Sequence, residues 1–230
     1  MPLRGAPRRQ FLPTLLLVFT GSLAFAPAAG AHPHVWATVH SEIVFGPDHH
    51  ITGIRHAWTF DEFYTAMAVE GLDTNRDGTY SKEELKPLAQ INVDSLKEFD
   101  YFTFVHFGSE DAVLPLKPPV DYWVDYDQTV LTLHFTLPLE TPVDPHGKPV
   151  EVDVYDPSFF VAFGFAKEKP VAISGSETKG CTAEVKLPDP ETTDDAQALS
   201  ESFFSQLGPN SNFGSQFAQT VTVKCSDAHL

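Results

Sequence analysis

Cysteine and methionine are scarce in this chain. Its 230 residues include two cysteines, Cys181 and Cys225, and two methionines, Met1 and Met67. Two cysteines without Cys-x-x-Cys spacing argue against a thiolate metal site, and in an oxidising compartment we expect them to pair as a disulfide. A single methionine beyond the initiator argues against a methionine-based Cu(I) carrier.

Basic residues are also few relative to acidic ones. The sequence has 15 basic and 31 acidic residues, which gives a formal net charge of −16 at pH 7. A surface of this kind repels nucleic acid and anionic membranes, and it attracts cations. We therefore expect no nucleic-acid partner.

The one long apolar stretch lies near the amino terminus. Residues 11–27 are mostly apolar, follow three arginines, and precede the small residues Ala29, Gly30 and Ala31. This pattern is typical of a signal peptide, and the stretch is too short and interrupted to span a membrane. We expect residues 1–31 to be removed through the Sec or twin-arginine route. The mature chain, 32–230, would then be periplasmic and not inserted in the membrane.

Common enzyme signatures are missing from the sequence. It contains no Gly-x-Ser-x-Gly elbow, no His-Glu-x-x-His motif and no phosphate-binding loop. Two groups of carboxylates, Asp121 with Asp125 and Asp127, and Asp153 with Asp156, could serve acid–base chemistry. Such groups are expected by chance in an acidic chain, so we do not expect an enzyme.

The strongest motif is the twelve-residue stretch Asp73–Glu84, which matches the EF-hand calcium loop position by position. Gly78 stands at the sixth position, where the loop needs φ > 0. The alternative is a polar turn between two helices. The expected calcium ligands are Asp73, Asn75, Asp77, the backbone carbonyl of Thr79, Ser81, and both carboxylate oxygens of Glu84.

The sequence holds no second loop of this type. EF-hands in calcium sensors work in pairs, so a lone loop in an exported protein indicates calcium as a structural cofactor rather than a signal.

Alternating apolar and polar residues predict a strand-rich chain. A hairpin over residues 35–60 turns at Gly46–His49, and further strands are predicted at 102–107, 122–126, 129–137, 150–155, 159–165, 181–187 and 217–225. Helices are predicted at 61–72, 81–99 and 196–207. We therefore predict an α+β fold with one domain, 32–230: a strand-rich body, an inserted helix–calcium loop–helix unit at 61–99, and a late helix.

The expected mature amino terminus is a candidate transition-metal site. The α-amine and imidazole of His32, with His34 two residues along the same strand face, could form a histidine brace. Pro33 has no amide hydrogen and excludes the amino-terminal chelate that needs one. These donors suit Zn(II), Ni(II), Co(II) or Cu(II). The alternative site is His40 with His56 across the hairpin, although a frayed terminus and a core histidine are competing interpretations.

Several segments together resemble a known family. They are His32–His34, Trp58–Phe63, the Asp73–Glu84 loop, Phe99–Thr103, Tyr155–Phe160 and Ser211–Gly214. The resemblance is to bacterial exported proteins of unassigned function, labelled as the periplasmic component of an ABC-type transport system and often encoded beside nickel/cobalt-type permeases. It implies an accessory or solute-binding protein for a transition metal, with a membrane permease or ABC transporter subunits as partners.

Two other function classes stay open at this point. One is an exported metal-dependent enzyme, either a histidine-brace copper oxidase or a hydrolase. The other is a purely structural calcium-binding interaction module.

Overall fold

The computed structural model describes residues 33–108, 112–175, 178–188, 201–204, 206–207 and 211–226. The strands are β1 Val35–Phe45, β2 Ile51–Phe60, β3 Thr103–Phe107, β4 Val120–Asp127, β5 Val130–Val143, β6 Val150–Val154, β7 Val161–Phe165, β8 Val171–Gly175, β9 Cys181–Lys186 and β10 Gln219–Cys225. The α-helices are α1 Glu62–Ala68, α2 Lys82–Leu96 and α3 Glu201–Phe204, and 3₁₀ segments span Lys97–Phe102 and Phe213–Phe217.

The larger sheet is built around β1. Its strands lie in the order β4-β5-β2-β1-β7, and β8 also pairs with β1. The neighbours β4, β5, β2 and β1 are antiparallel, whereas β7 and β8 run parallel to the first and second halves of β1. Alternate residues of β1 are buried, as the sequence alternation predicts.

Two layers cover the inner face of this sheet. The smaller sheet, in the order β3-β6-β10-β9, packs over one part of it and contributes Val105, Val152 and Val221 to a shared core with Ile43 and Ile54. Helix α2 packs over the other part, and its buried side chains Leu85, Ala89, Val93 and Leu96 join a core that includes Trp58, Leu133 and Phe135.

The α+β prediction with an inserted helix–calcium loop–helix unit and a late helix is wrong. Strands dominate the described residues, and the two sheets form a sandwich-like body. Segment 61–99 is not an appendage, because the apolar side of α2 forms one layer of the main core. Helix α1 ends at Ala68, short of the predicted end, and the described part of the late helix covers only Glu201–Phe204.

The predicted disulfide is present. Cys181 and Cys225 are bonded, and they face each other at one end of the β9–β10 pair. Within the described residues, no helix has the length and apolar character needed to cross a membrane.

Candidate calcium loop and histidine sites

The Asp73–Glu84 segment is a loop folded around its own carboxylates. The two carboxylate oxygens of Asp73 accept hydrogen bonds from the backbone amides of Asp77, at 3.2 Å, and Gly78, at 3.0 Å. Gly78 has φ of +81°, the conformation that the motif predicts for its sixth position. The chain therefore curls around the side chains that the motif assigns as ligands.

Glu84 reaches across the loop and joins its two ends. One carboxylate oxygen accepts from the amide and hydroxyl of Thr74, both at 2.8 Å, and the other accepts from the amide and hydroxyl of Ser81, at 3.0 and 2.8 Å. These bonds, those from Ser81 foremost, lower the pKa of Glu84 to about 2. Hydrogen bonds from Thr79 likewise lower the pKa of Asp77. Both carboxylates are therefore ionised at neutral pH.

Of the two amino-terminal histidines, His32 lies outside the described residues. His34 is exposed, its amide donates to the Phe160 carbonyl at 2.9 Å, and its ring stacks on the Phe160 ring with centroids 4.7 Å apart. The structure thus holds His34 against the segment that follows Asp156.

Phe160 also lines a pocket of about 460 Å³. Three segments singled out in the sequence meet there, because the lining includes Phe99 and Asp100, Asp156 through Ser158, and Ser211. Glu98 and Asp100 supply carboxylates, while Phe99 and Phe160 are exposed aromatic rings. The pocket is acidic, with apolar walls.

The backbone beside this pocket is strained. Asp100, Tyr101 and Phe102 have φ of 49°, 55° and 49°, three consecutive non-glycine residues in the left-handed region. Each such residue costs on the order of 1 kcal/mol or more, and conformations of this kind cluster at functional sites.

Asp156 also lines this pocket. It is buried, with one oxygen accepting from the amide and hydroxyl of Ser158, both at 2.8 Å, and the other from the Val161 amide at 2.9 Å. Its carboxylate therefore shapes the turn that carries Phe160. It is not paired with Asp153, whose carboxylate instead lies 3.5 Å from His106.

The alternative histidine pair does not meet. His40 is exposed and hydrogen-bonds to the Lys169 carbonyl through Nδ1 at 3.1 Å, whereas His56 is buried on the other face of the sheet. Ser41, not His40, stands opposite His56 in the strand register. A metal ion cannot bridge side chains on opposite faces of one sheet.

His56 is instead a core residue held between the two sheets. Its Nδ1 accepts from the Ser41 hydroxyl at 2.9 Å, and its Nε2 lies 3.2 Å from the Thr103 hydroxyl. That hydroxyl donates to the Tyr101 carbonyl, so Nε2 carries the proton and donates to Thr103. Burial lowers the pKa of His56 from 6.5 to about 3.

In the remaining acidic group, Asp125 contacts a tryptophan and a histidine. Asp125 accepts from the Trp123 indole at 3.0 Å and lies 3.2 Å from His134, whose ring stacks on Trp123. Across the described ranges, no three His, Cys, Asp or Glu side chains already surround a common point as a metal site would.

A family model described as a protein of unknown function (DUF1007) matches residues 16–225. The chain belongs to this family. It is 24% identical over 196 residues to an uncharacterized protein of Haemophilus influenzae, covering 85% of this chain and 91% of that protein. It is also 31% identical over 101 residues to an uncharacterized 15.5 kDa protein of Spirochaeta aurantia, covering 44% of this chain and 70% of that relative. Membership in the family assigns no activity.

Sequence reasoning missed the pocket, although its segments were recognised. Glu98, Asp100 and Phe160 come from distant parts of the chain, and no spacing rule links them. The recurring combination of aspartate with neighbouring aromatics in Phe99–Thr103 and Tyr155–Phe160 was the available signal.

Proposed function

We propose that this protein is an exported, calcium-stabilised accessory protein of a transition-metal transport system. The single observation that carries the calcium part is the Asp73–Glu84 loop, in which Glu84 closes over Thr74 while Asp73 and Asp77 turn inward onto backbone amides. Three carboxylates, one amide and one hydroxyl form an oxygen-rich donor set, which suits a hard dication.

The residues present suit calcium in their charge and in the type of donor they offer. Asp73, Asn75, Asp77, Ser81 and Glu84 would hold the ion through side chains, and Thr79 through its carbonyl. Bound calcium would offset the mutual repulsion of the three carboxylates and tie the start of α2 to the chain that leaves α1. Calcium would therefore stabilise the fold rather than report on its concentration.

Thermal unfolding with and without a calcium chelator tests this part. Chelation should lower the melting temperature, and Asp73→Ala or Glu84→Gln should remove the difference between the two conditions. Asp94→Asn, on the exposed side of α2, is the matched control and should keep it. A melt that chelator leaves unchanged, in protein that holds no calcium, would rule out the loop as a calcium site.

The position of His34 supports the transition-metal part. His34 stacks on Phe160, which lines the acidic pocket with Glu98 and Asp100. An imidazole ligand suits Zn(II), Ni(II), Co(II) or Cu(II), and the acidic pocket next to Phe160 would attract such a cation. The resemblance to exported transport components agrees with a transition-metal role, and a membrane permease or ABC transporter subunit would be the partner.

The free α-amine of His32 makes this part testable. One extra residue before His32 removes that donor, so calorimetry at saturating calcium should show one fewer bound equivalent of Ni(II) or Zn(II). His34→Ala should weaken binding at the same site at least about tenfold, while His134→Ala should leave the affinity unchanged. Equal stoichiometry for the native-start and extended-start proteins would contradict the amino-terminal site.

A further inference from the structure

The far end of the β1–β2 hairpin carries three histidines and two aspartates on two adjoining turns. The turn between β1 and β2 contains Asp48, His49 and His50, and the turn after β5 contains Asp144 and His146. This end of β1 is separated from His34 by eleven strand residues, or roughly 35 Å. Any site here is therefore independent of the amino terminus.

The strand register brings the two turns together. Ile51 of β2 stands opposite Val143 of the antiparallel strand β5, so His50 and Asp144, which adjoin these two residues, lie at the same end of the strand pair. The rings of His49 and His146 are 6.4 Å apart, centroid to centroid.

Two of these imidazoles are oriented as metal-binding histidines commonly are. His146 lies with Nδ1 2.6 Å from a carboxylate oxygen of Asp144, and His50 with Nδ1 2.7 Å from the carbonyl of Asp48. When Nδ1–H donates to an oxygen, the ring's Nε2 keeps the lone pair that a metal needs. A carboxylate on Nδ1 also makes the opposite nitrogen a better donor.

The turns rest on rigid elements. His146 forms a backbone bridge with Cys225, which is bonded to Cys181, and the Gly46 amide closes the hairpin on the His50 carbonyl at 2.9 Å. The side chains themselves are partly exposed, with 37% of His50 and 26% of His146 accessible. The backbone is thus fixed, and the imidazoles are partly open to solvent.

We propose that His49, His50 and His146, oriented by Asp144, bind one borderline transition-metal dication of the Zn(II) or Ni(II) class. Two imidazoles that share a tetrahedral ion have ring centroids about 5 Å apart, since each metal–nitrogen bond is about 2.0–2.1 Å. The rings of His49 and His146, whose centroids are 6.4 Å apart, are therefore only about 1 Å farther apart than a shared ion requires. No three such groups yet converge among the described residues, so the site closes on the ion by side-chain rotation.

The proposal adds a second transition-metal position to the proposed function but does not depend on it. Calcium loop, amino terminus and hairpin end use different residues. A metal bound at the hairpin end requires neither the amine of His32 nor any transport partner.

The experiment uses untagged extended-start protein, in which the amino-terminal donor is removed, titrated with ZnCl₂ or NiSO₄ at saturating calcium. One equivalent should bind, and His146→Ala or His50→Ala should lower the affinity at least tenfold. Asp144→Asn should lower it about tenfold, as expected for the loss of a group that orients a ligand. His134→Ala, which leaves the two turns intact, should not change it.

Proton NMR of the imidazoles distinguishes metal binding from a purely structural effect of the substitutions. Zn(II) should shift the ring signals of His49, His50 and His146 and leave those of His40 unchanged. Binding that survives His146→Ala in folded protein, or no binding by the extended-start form, overturns the proposal. Native-start protein that binds while extended-start protein does not would refute the hairpin site alone. Absence of binding in both would also count against the proposed function.

Discussion

His56 makes the stability of the protein depend on pH. Its imidazole is neutral in the folded state because burial lowers its pKa from 6.5 to about 3. Below pH 6.5 the unfolded chain takes up a proton that the folded chain does not. The free energy of unfolding therefore decreases as the pH is lowered. The expected loss between pH 7.5 and 5 is about 2 kcal/mol, since each pH unit below 6.5 costs about 1.4 kcal/mol.

Urea unfolding at pH 7.5, 6 and 5 measures this loss. His56→Gln should flatten the dependence, whereas His40→Ala, which removes an exposed histidine of the same hairpin, should leave it intact. The window lies above the range in which carboxylates titrate, so the difference between these two variants isolates His56. Identical slopes in wild type and His56→Gln would refute the interpretation.

Position 214 requires glycine because another backbone segment lies against it. A Cβ added there would overlap the carbonyl oxygen of Asp156, and the Gly214 amide donates to the Pro157 carbonyl at 2.9 Å. Gly214→Ala should therefore force the Asp156 turn to move and lower the free energy of unfolding by about 1–3 kcal/mol. Gly164→Ala is the matched control, because its nearest neighbour would lie 4.0 Å away. Equal stability of the two variants would contradict the packing argument.

At the scale of elements, the start of α2 combines a helix cap with the end of the proposed calcium loop. Ser81 caps the helix by accepting from the Glu84 amide at 3.3 Å, while Glu84 accepts from the Ser81 amide in return. Ser81→Ala should cost about 1 kcal/mol of stability in calcium-free protein. Ser95→Ala, near the exposed end of the same helix, should cost little. Chemical denaturation in chelator provides the comparison, and equal midpoints for the two variants would argue against the cap.

Local elements could be predicted from the sequence, whereas elements formed by long-range pairing could not. The β1–β2 hairpin is local, and the alternation of its residues predicted it. The Asp73–Glu84 calcium loop stays a prediction. Strand β8 was missed because Val171–Gly175 is short and pairs with β1, far away in the sequence. The pocket at Phe160 was missed for the same reason, since tertiary packing alone brings Glu98 and Asp100 beside it.

At the scale of the whole molecule, the disulfide fastens the chain's carboxyl-terminal strand to its neighbour. Cys181 and Cys225 are separated by 44 residues, and closing a loop of that size is worth about 4 kcal/mol on the chain-entropy model. Reduction should lower the urea midpoint accordingly, and it should loosen β9 and β10 first. An unchanged midpoint in fully reduced protein, verified by thiol titration, would show that the bond adds no stability.

Strand β1 precedes its parallel partners, β7 and β8, by a long stretch of the chain. Residues 35–45 pair with 51–60 through a short turn, but their other edge is filled by 161–175. A chain growing from its amino terminus therefore presents a half-paired, alternately apolar edge until more than a hundred further residues have followed. Such long-range pairing slows folding and leaves the edge open to association with other chains. We expect refolding to be slow and its yield to fall as protein concentration rises.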